Sequence, residues 1–223
     1  MEPRMIHRIR ELFNFGVTEL QISHRRLVSL NEDDEIIYSF FRDTEPGFYI
    51  DIGAGRPISH SLTFLLYKKG WNGFCFDPLP ENQILHRLFR PRGKFKRCLI
   101  GNSLGGRKFY HLKHWSYSTS LESVASMLIT NGTAKLVKEL KIDQRPLRDF
   151  LKEIPSNVNT FLKTDTEGND LDVLVSNDWE QFNPNLVCVE VWKEGKKSIT
   201  SFLNGKGYAL IAETKQNAFF AKL

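Results

Sequence analysis

Acidic side chains stand at the ends of four apolar runs in this 223-residue chain: Asp51 in Phe48–Gly55, Asp77 in Trp71–Pro78, Asp165 and Glu167 in Asn159–Gly168, and Glu190 in Leu186–Trp192. Charge in a buried strand is costly unless it is paired or sits at a functional edge. Gly53 and Gly55 bracket Ala54, so the backbone can turn sharply there and a ligand can approach it closely. Asp51 can meet an ammonium group. Asp77 follows one strand-helix-strand step later, where an acid at the end of a second strand would grip a ribose diol. The turn alone would equally suit an ordinary strand-turn-helix connection, and it is the second acid at the right spacing that favours a ligand. A dinucleotide fingerprint is not met, because the third glycine position is Ile58, preceded by Pro57. The residues alone therefore read as a nucleoside-cofactor site on an α/β sheet.

The elements that must position these acids follow from periodicity. Residues 1–44 read as two or three helices that cap the sheet and wall the substrate site. A helix over His60–Lys69 ends at Gly70, and one over 81–90 is broken by Pro91–Gly93. Phe95–Ile100 is expected as a third strand ending at Gly101-Asn102, and Arg107–Leu112 as an exposed strand. Residues 113–131 read as a loop plus a short helix, Leu136–Ile142 as a strand and Leu147–Glu153 as a helix. After the acid-bearing fourth and fifth strands, Ile199–Leu203 is helical, and Tyr208–Ala212 with Phe219–Leu223 forms a closing hairpin. The sum is a doubly wound, seven-stranded, mostly parallel sheet with a C-terminal antiparallel hairpin. The expected organisation is an N-terminal helical extension over 1–44 and one domain over 45–223.

A hydrophobic content of 41% and a charged content of 26% fit a soluble globular protein rather than a disordered or membrane chain. No apolar run is long enough for a membrane span and no hydrophobic signal core opens the chain, so a cytoplasmic location is expected. The net charge of +5 is concentrated in Arg87–Arg97, which reads as a solvated helix end and loop rather than a nucleic-acid groove. Cys75, Cys98 and Cys188 are too scattered for a metal site or a disulfide framework and are expected to be buried small hydrophobes.

By Leu162-Lys163-Thr164-Asp165-Thr166-Glu167-Gly168 the pattern resembles the FkbM-type family of S-adenosylmethionine (SAM)-dependent methyltransferases, of Rossmann-like class I fold. The matching pieces run in order over residues 30–223. They include Glu32–Ile37, Gly47–Ala54 with Pro57, Ser61-Leu62-Thr63, Gly70–Gly73, Asp77-Pro78, Phe109-Tyr110, Ser118-Thr119 and Ala218–Ala221. Departures are Gly55 where the family often has Asn, Asn31 where it has Gln, and Thr164 and Thr166 where it has Ile and Val. None removes an acid.

The resemblance implies O-methyl transfer from SAM to a hydroxyl of a sugar, glycan or glycosylated metabolite. It implies cofactor contacts from Asp51, Gly53, Ala54, Gly55, Ser61, Asp77, Pro78, Asn102, Ser118 and Thr119. Asp165, Glu167 and Glu190 are the expected catalytic residues. Asp165 and Glu167 would stand beside the methyl group, with Lys163 folded over them to keep them ionised. His60, His111 and His114 are further candidate bases. The same three carboxylates could gather a divalent cation such as magnesium, but the sequence does not force one and no metal is assigned. The partner expected is a small-molecule or glycan acceptor rather than nucleic acid, and a homodimer is left open. The competing reading is a non-catalytic SAM-fold binding module in a glycan-building complex, against which the intact acids argue.

Overall fold

The structure, a computed structural model, describes residues 32–192 and 195–223. The helices expected before Glu32 lie outside these residues, and the first described element is helix α1 (Glu32–Phe40). Strands β1 (Phe48–Ile52) and β7 (Thr160–Thr164) are buried along their whole length, as a parallel sheet covered on both faces requires. Between them in sequence lie α2 (Phe64–Lys68), β2 (Asn72–Phe76), α3 (Pro80–Phe89), β3 (Lys94–Lys96), β4 (Leu99–Ile100), β5 (Gly105–Leu112), α4 (Glu122–Thr130) and β6 (Leu136–Arg145). After them come α5 (Asp170–Val175), β8 (Leu186–Glu190), α6 (Lys196–Asn204), β9 (Tyr208–Glu213) and β10 (Asn217–Lys222).

The main sheet has seven strands in the order β3-β2-β1-β7-β8-β10-β9. All neighbours from β3 to β8 are parallel, and β10 runs antiparallel to β8 and β9. Strand order therefore reverses between β1 and β7, where open α/β sheets place their ligands. Side-chain alternation sends Phe48, Ile50 and Ile52 to one face with Phe76, Leu162 and Val187, and Tyr49 to the other with Cys75, Phe161 and Cys188. Phe41, just past α1, joins the second face edge-on to Trp71, with ring centroids 4.7 Å apart. Among the described residues no helix is long and apolar enough to cross a membrane.

Five local expectations are revised. The strand expected over Phe95–Ile100 is two strands: β3 stays in the main sheet, and β4 leaves it to pair with β6. With β5 antiparallel to β6, these form a second, three-stranded sheet in the order β4-β6-β5. The helix expected from His60 starts only at Phe64, because residues 57–63 are held in an extended turn by the buried Arg90. Its Nε donates to the Pro57 carbonyl at 2.6 Å, and its terminal nitrogens donate to Thr63 Oγ1 at 2.8 Å and Ser61 Oγ at 2.5 Å. Leu147–Glu153 is a 3-10 helix, and β6 runs on to Arg145. Arg90 itself is only 1% exposed, so the basic run is not wholly the solvated face expected of it.

Gly53 has φ +68, and a Cβ there would run into the carbonyl oxygen of Asp165 across the switch point. Gly105 also has positive φ, at +107, but a Cβ there meets nothing within 4 Å. Gly53→Ala should therefore cost at least about 3 kcal/mol in urea unfolding, and Gly105→Ala about 1 kcal/mol. Equal costs would mean that close packing at the switch point does not constrain this turn.

Candidate active site

A cavity of about 700 Å³ opens at the carboxyl ends of β1, β2, β7 and β8, under the small sheet. That size suits a drug-sized ligand. One end is apolar and holds the glycine turn. The backbone N–H groups of Gly53 and Ala54 both donate to the Phe76 carbonyl at 3.0 Å, which locks the turn onto the end of β2. Asp77 braces it from below: Oδ2 accepts the Gly55 N–H at 3.0 Å, and Oδ1 accepts the Leu79 N–H at 2.8 Å and Asn82 Nδ2 at 2.9 Å. Burial pushes the Asp77 carboxyl up to about 6, while the hydrogen bonds from Asn82, Leu79 and Gly55 pull it down. A carboxylate has about four acceptor positions and Asp77 uses three, so one position on Oδ2 remains for a ligand hydroxyl. The rest of this end is hydrophobic, with Leu79, Leu99, Phe109 and Trp115 packed between the two sheets.

The other end is crowded with acids. Asp165 follows β7, and its N–H continues the ladder to the Ile52 carbonyl at 3.0 Å. Its Oδ2 lies 3.3 Å from Lys163 Nζ, with the Asp165 side chain 36% exposed toward the cavity. Lys163 is 4% exposed; it donates to the Gly53 carbonyl at 3.0 Å and pairs with Asp51 Oδ1 at 3.4 Å. Burial alone would lower the Lys163 pKa, but the charges of Asp165 and Asp51 outweigh it and raise the value, so the ammonium is permanent.

Glu167 sits in the left-handed region at φ +55. Burial, then the charges of Asp165 and Asp170, push its carboxyl up to about 8 against the pull of Lys163. Burial, then Asp165, Glu167 and Asp170, push Glu190 up to about 9, against the indole N–H of Trp192, which donates to its Oε2 at 3.1 Å. Asp165, Glu167 and Glu190 each offer an oxygen within 4.8 Å of the other two. Such a set can keep protons between its members or hold a divalent cation.

The structure brings Gly53, Ala54, Gly55, Asp77, Pro78, Ser118, Asp165, Glu167 and Glu190 to the cavity wall. It leaves four expected contacts off that wall. Asp51 lies beneath the turn, accepting the Thr63 hydroxyl at 2.6 Å and facing Lys163. Ser61 is buried against Arg90. Asn102 faces away, its N–H on Asp172 at 3.1 Å and its side-chain oxygen on Arg148 at 3.1 Å. Thr119 is fully buried, its hydroxyl donating to the Glu167 carbonyl at 3.1 Å. Each of these four is thus a brace for a residue that does face the cavity, or is clear of it. Lys163 reaches Asp165 but not Glu167.

Of the histidines, His60 lines the mouth at φ +59 and His114 lines the cavity, whereas His111 stands 3.6 Å from Glu81 and off the wall. Trp115, Trp192, Asn217 and Asp33 line the cavity without having been read from the sequence. Trp115 and Trp192 stand in irregular segments, and Asp33 and Asn217 at the starts of α1 and β10, where no spacing in the sequence marks them.

Between about 4.5, the ordinary glutamate value, and about 9, the folded protein holds protons on Glu190 that the unfolded chain has lost. Stability from this group is therefore present at low pH and falls as pH rises through that window. In chelator-containing buffer, Glu190→Gln should raise Tm relative to wild type at pH 8.5 and bring no gain at pH 5. A gain that does not vary with pH would show that the glutamate is not held protonated.

Residues 51–210 match a family described as "Methyltransferase FkbM domain". No relative is found among curated proteins. Similar solved structures include precorrin-6y C5,15-methyltransferase from Geobacter metallireducens GS-15, at 10% identity over 85% of this chain and 88% of that one, with a TM-score of 0.46. Monomeric WbdD gives 9% identity over 87% of this chain and 41% of that one, with a TM-score of 0.47. The 1,6-didemethyltoxoflavin-N1-methyltransferase of Burkholderia thailandensis, solved with bound 1,6-didemethyltoxoflavin and S-adenosylhomocysteine, gives 9% identity over 96% of this chain and 88% of that one, with a TM-score of 0.42.

Proposed function

This chain belongs to the FkbM family of methyltransferases, and from that premise we propose that it binds SAM in the cavity and methylates a hydroxyl oxygen of a sugar, glycan or glycosylated metabolite. The observation that carries the reading is the joining of two chemistries in one cavity: a bare-backbone, acid-braced apolar seat and a cluster of three carboxyls at the adjacent strand ends.

The seat fits the cofactor. A Cβ at Gly55 would meet the Trp115 ring at 2.6 Å, so only glycine lets that ring close on the turn, and Asp77 keeps one acceptor position for a ribose hydroxyl. Bound SAM supplies an electrophilic methyl group. What the chain contributes is position and proton transfer. An alcohol is a poor nucleophile until its proton leaves, and a base in reach contributes roughly 10²–10⁴-fold. Asp165, whose Oδ2 lies 3.3 Å from the Lys163 ammonium, is the member of the cluster that takes the hydroxyl proton. Glu167 and Glu190, holding protons, accept and donate hydrogen bonds that orient the acceptor. Asp33, Asn217 and Trp192 at the same end add the flat polar and aromatic surface that a polyol packs on.

Calorimetric titration with S-adenosylhomocysteine tests the cofactor, and transfer of labelled methyl from SAM to a panel of sugars, with magnesium or with chelator, tests the acceptor. Wild type should bind the homocysteine product, and Asp77→Ala should bind it at least ten-fold more weakly. Asp165→Asn should keep that affinity and lose 10²-fold or more in transfer rate. Absence of binding by the wild type would return the protein to the class of binding modules, and full activity of Asp165→Asn would move the base to another residue.

A further inference from the structure

The carboxyl end of the cavity carries charge opposite in sign to that of the chain. The protein as a whole has a net charge of +5. Yet Asp33, Asp165, Glu167 and Glu190 line this end, and among the described residues Lys163 is the only lysine or arginine on the cavity wall. Its ammonium is already shared among Asp51, Asp165 and the Gly53 carbonyl. The polar neighbours of the acids do not redress the balance. Trp192 gives its indole N–H to Glu190 Oε2 at 3.1 Å, so its ring is what it has left for a ligand. Asn217 lines the cavity as the register partner of Glu190, is only 7% exposed, and donates from Nδ2 to Asp33 Oδ2 at 3.2 Å. A carboxylate only accepts, so this contact fixes which way the amide is turned. It leaves Asn217 Oδ1 as an acceptor with no partner among the described residues. A nearly buried amide oxygen in that position requires a donor from the ligand.

We infer that the acceptor is cationic: it carries a protonated amine, as an amino sugar does, and Glu190, Asn217 Oδ1 and the Trp192 ring receive that amine beside the hydroxyl to be methylated. This rests on the reading of the cavity as a SAM-dependent methylation site. A neutral polyol would satisfy the acceptor atoms and leave the negative charge unanswered. A phosphorylated sugar or a uronic acid would add to that charge, and such repulsion is what rejects a wrong ligand. The cofactor does not supply the missing cation. Its amino-acid end is zwitterionic, and its sulfonium charge disappears as the methyl group leaves. An ammonium answers every group at once, with charge-assisted hydrogen bonds to Glu190 and Asn217 and attraction to the face of Trp192. It also offsets the neighbouring negative charges that, after burial, push Glu167 up to about 8 and Glu190 up to about 9.

The test is a binding series on protein saturated with S-adenosylhomocysteine, in chelator-containing buffer near neutral pH. Glucosamine, glucose, N-acetylglucosamine and glucuronic acid are titrated in turn and followed by NMR. Glucosamine should bind at least about ten-fold more tightly than glucose or N-acetylglucosamine, and glucuronic acid should bind most weakly. Glu190→Gln should bring glucosamine to within about three-fold of glucose, whereas Glu190→Asp, which keeps the charge, should keep the preference. A merely structural role for Glu190 would weaken both sugars alike and leave their ratio as it was, and that result overturns the inference. So do equal affinities in the wild type, a preference for glucuronic acid, or no sugar bound by protein that holds S-adenosylhomocysteine. Magnesium that binds the wild type, fails to bind Glu190→Gln and must be present before any sugar binds gives these acids to a metal, and also overturns the amine. A wild type that does not take up S-adenosylhomocysteine sinks the cofactor reading instead, and that control tells the two failures apart.

Discussion

The Lys163 ammonium, almost without solvent in the middle of a parallel sheet, is the group on which the site depends. Burying an ammonium costs several kcal/mol unless its charge and its donors are answered. Lys163 has three donors and three oxygens in reach: the Gly53 carbonyl at 3.0 Å, Asp165 at 3.3 Å and Asp51 at 3.4 Å. Those oxygens come from the turn after β1, the end of β7 and the body of β1, so one cation ties together the two strands between which sheet order reverses. Asp51 and Lys163 are register partners, which is why they can meet without leaving the sheet. The polar chain continues from Asp51 through Thr63 to Arg90, whose guanidinium fixes residues 57–63. Lys163 is the buried cation that faces both carboxylates, and Arg90 joins them only through the Thr63 hydroxyl; removing the ammonium would leave Asp51 buried without its counter-charge, at a cost of about 3–5 kcal/mol. The glycine turn and the Asp165 carboxylate are therefore set by a single electrostatic arrangement.

That arrangement also divides the labour among the acids. Asp165 is next to the cation, whereas Glu167 and Glu190 are pushed up by burial first and then by the Asp165 charge, ahead of the other acids. Three carboxyls within 4.8 Å cannot all be charged at little cost, and it is on Glu167 and Glu190, away from the Lys163 contact, that the upward push falls. The left-handed backbone at Glu167, worth about 1–3 kcal/mol of strain, persists because Thr119 grips its carbonyl from the small sheet. The second sheet is thus structural support for the chemistry as well as a wall.

The central parallel strands and the closing hairpin were legible because fully buried strands are written as short apolar runs between turn residues, and the acids and glycines that end them declare themselves. The cavity-facing Gly53, Gly55, Asp77, Asp165, Glu167 and Glu190 fall in that category. Asp51 and Ser61 were read as ligands, and the structure puts them under the cavity; residue type and spacing carry no information on which side of a turn a side chain lies. Arg90 was read as solvated because it sits in a run of cations, and only the fold reveals that Ser61, Thr63 and the Pro57 carbonyl converge on it. The small sheet was illegible as a unit: β4 is two residues long, and β5 and β6 alternate without a buried face on both sides.

The carboxyl-lined end of the cavity resisted reading for a further physical reason: it is assembled from the most distant parts of the described chain. Asp33 of α1 accepts the Thr214 hydroxyl at 2.7 Å and Asn217 Nδ2 at 3.2 Å, contacts that span 181 and 184 residues. Asn217 is in turn the register partner of Glu190. The carboxyl cluster is therefore backed by the closing hairpin, and the hairpin is pinned by the helix that precedes β1. Local sequence codes the glycine-turn end, because one turn and the strand beside it suffice to make it. No local pattern codes the carboxyl end, because it exists only once the first described helix and the last strand have met. On the proposed function, changes of acceptor arise in α1 or the hairpin while the Lys163 arrangement, and with it the glycine turn, stays as it is.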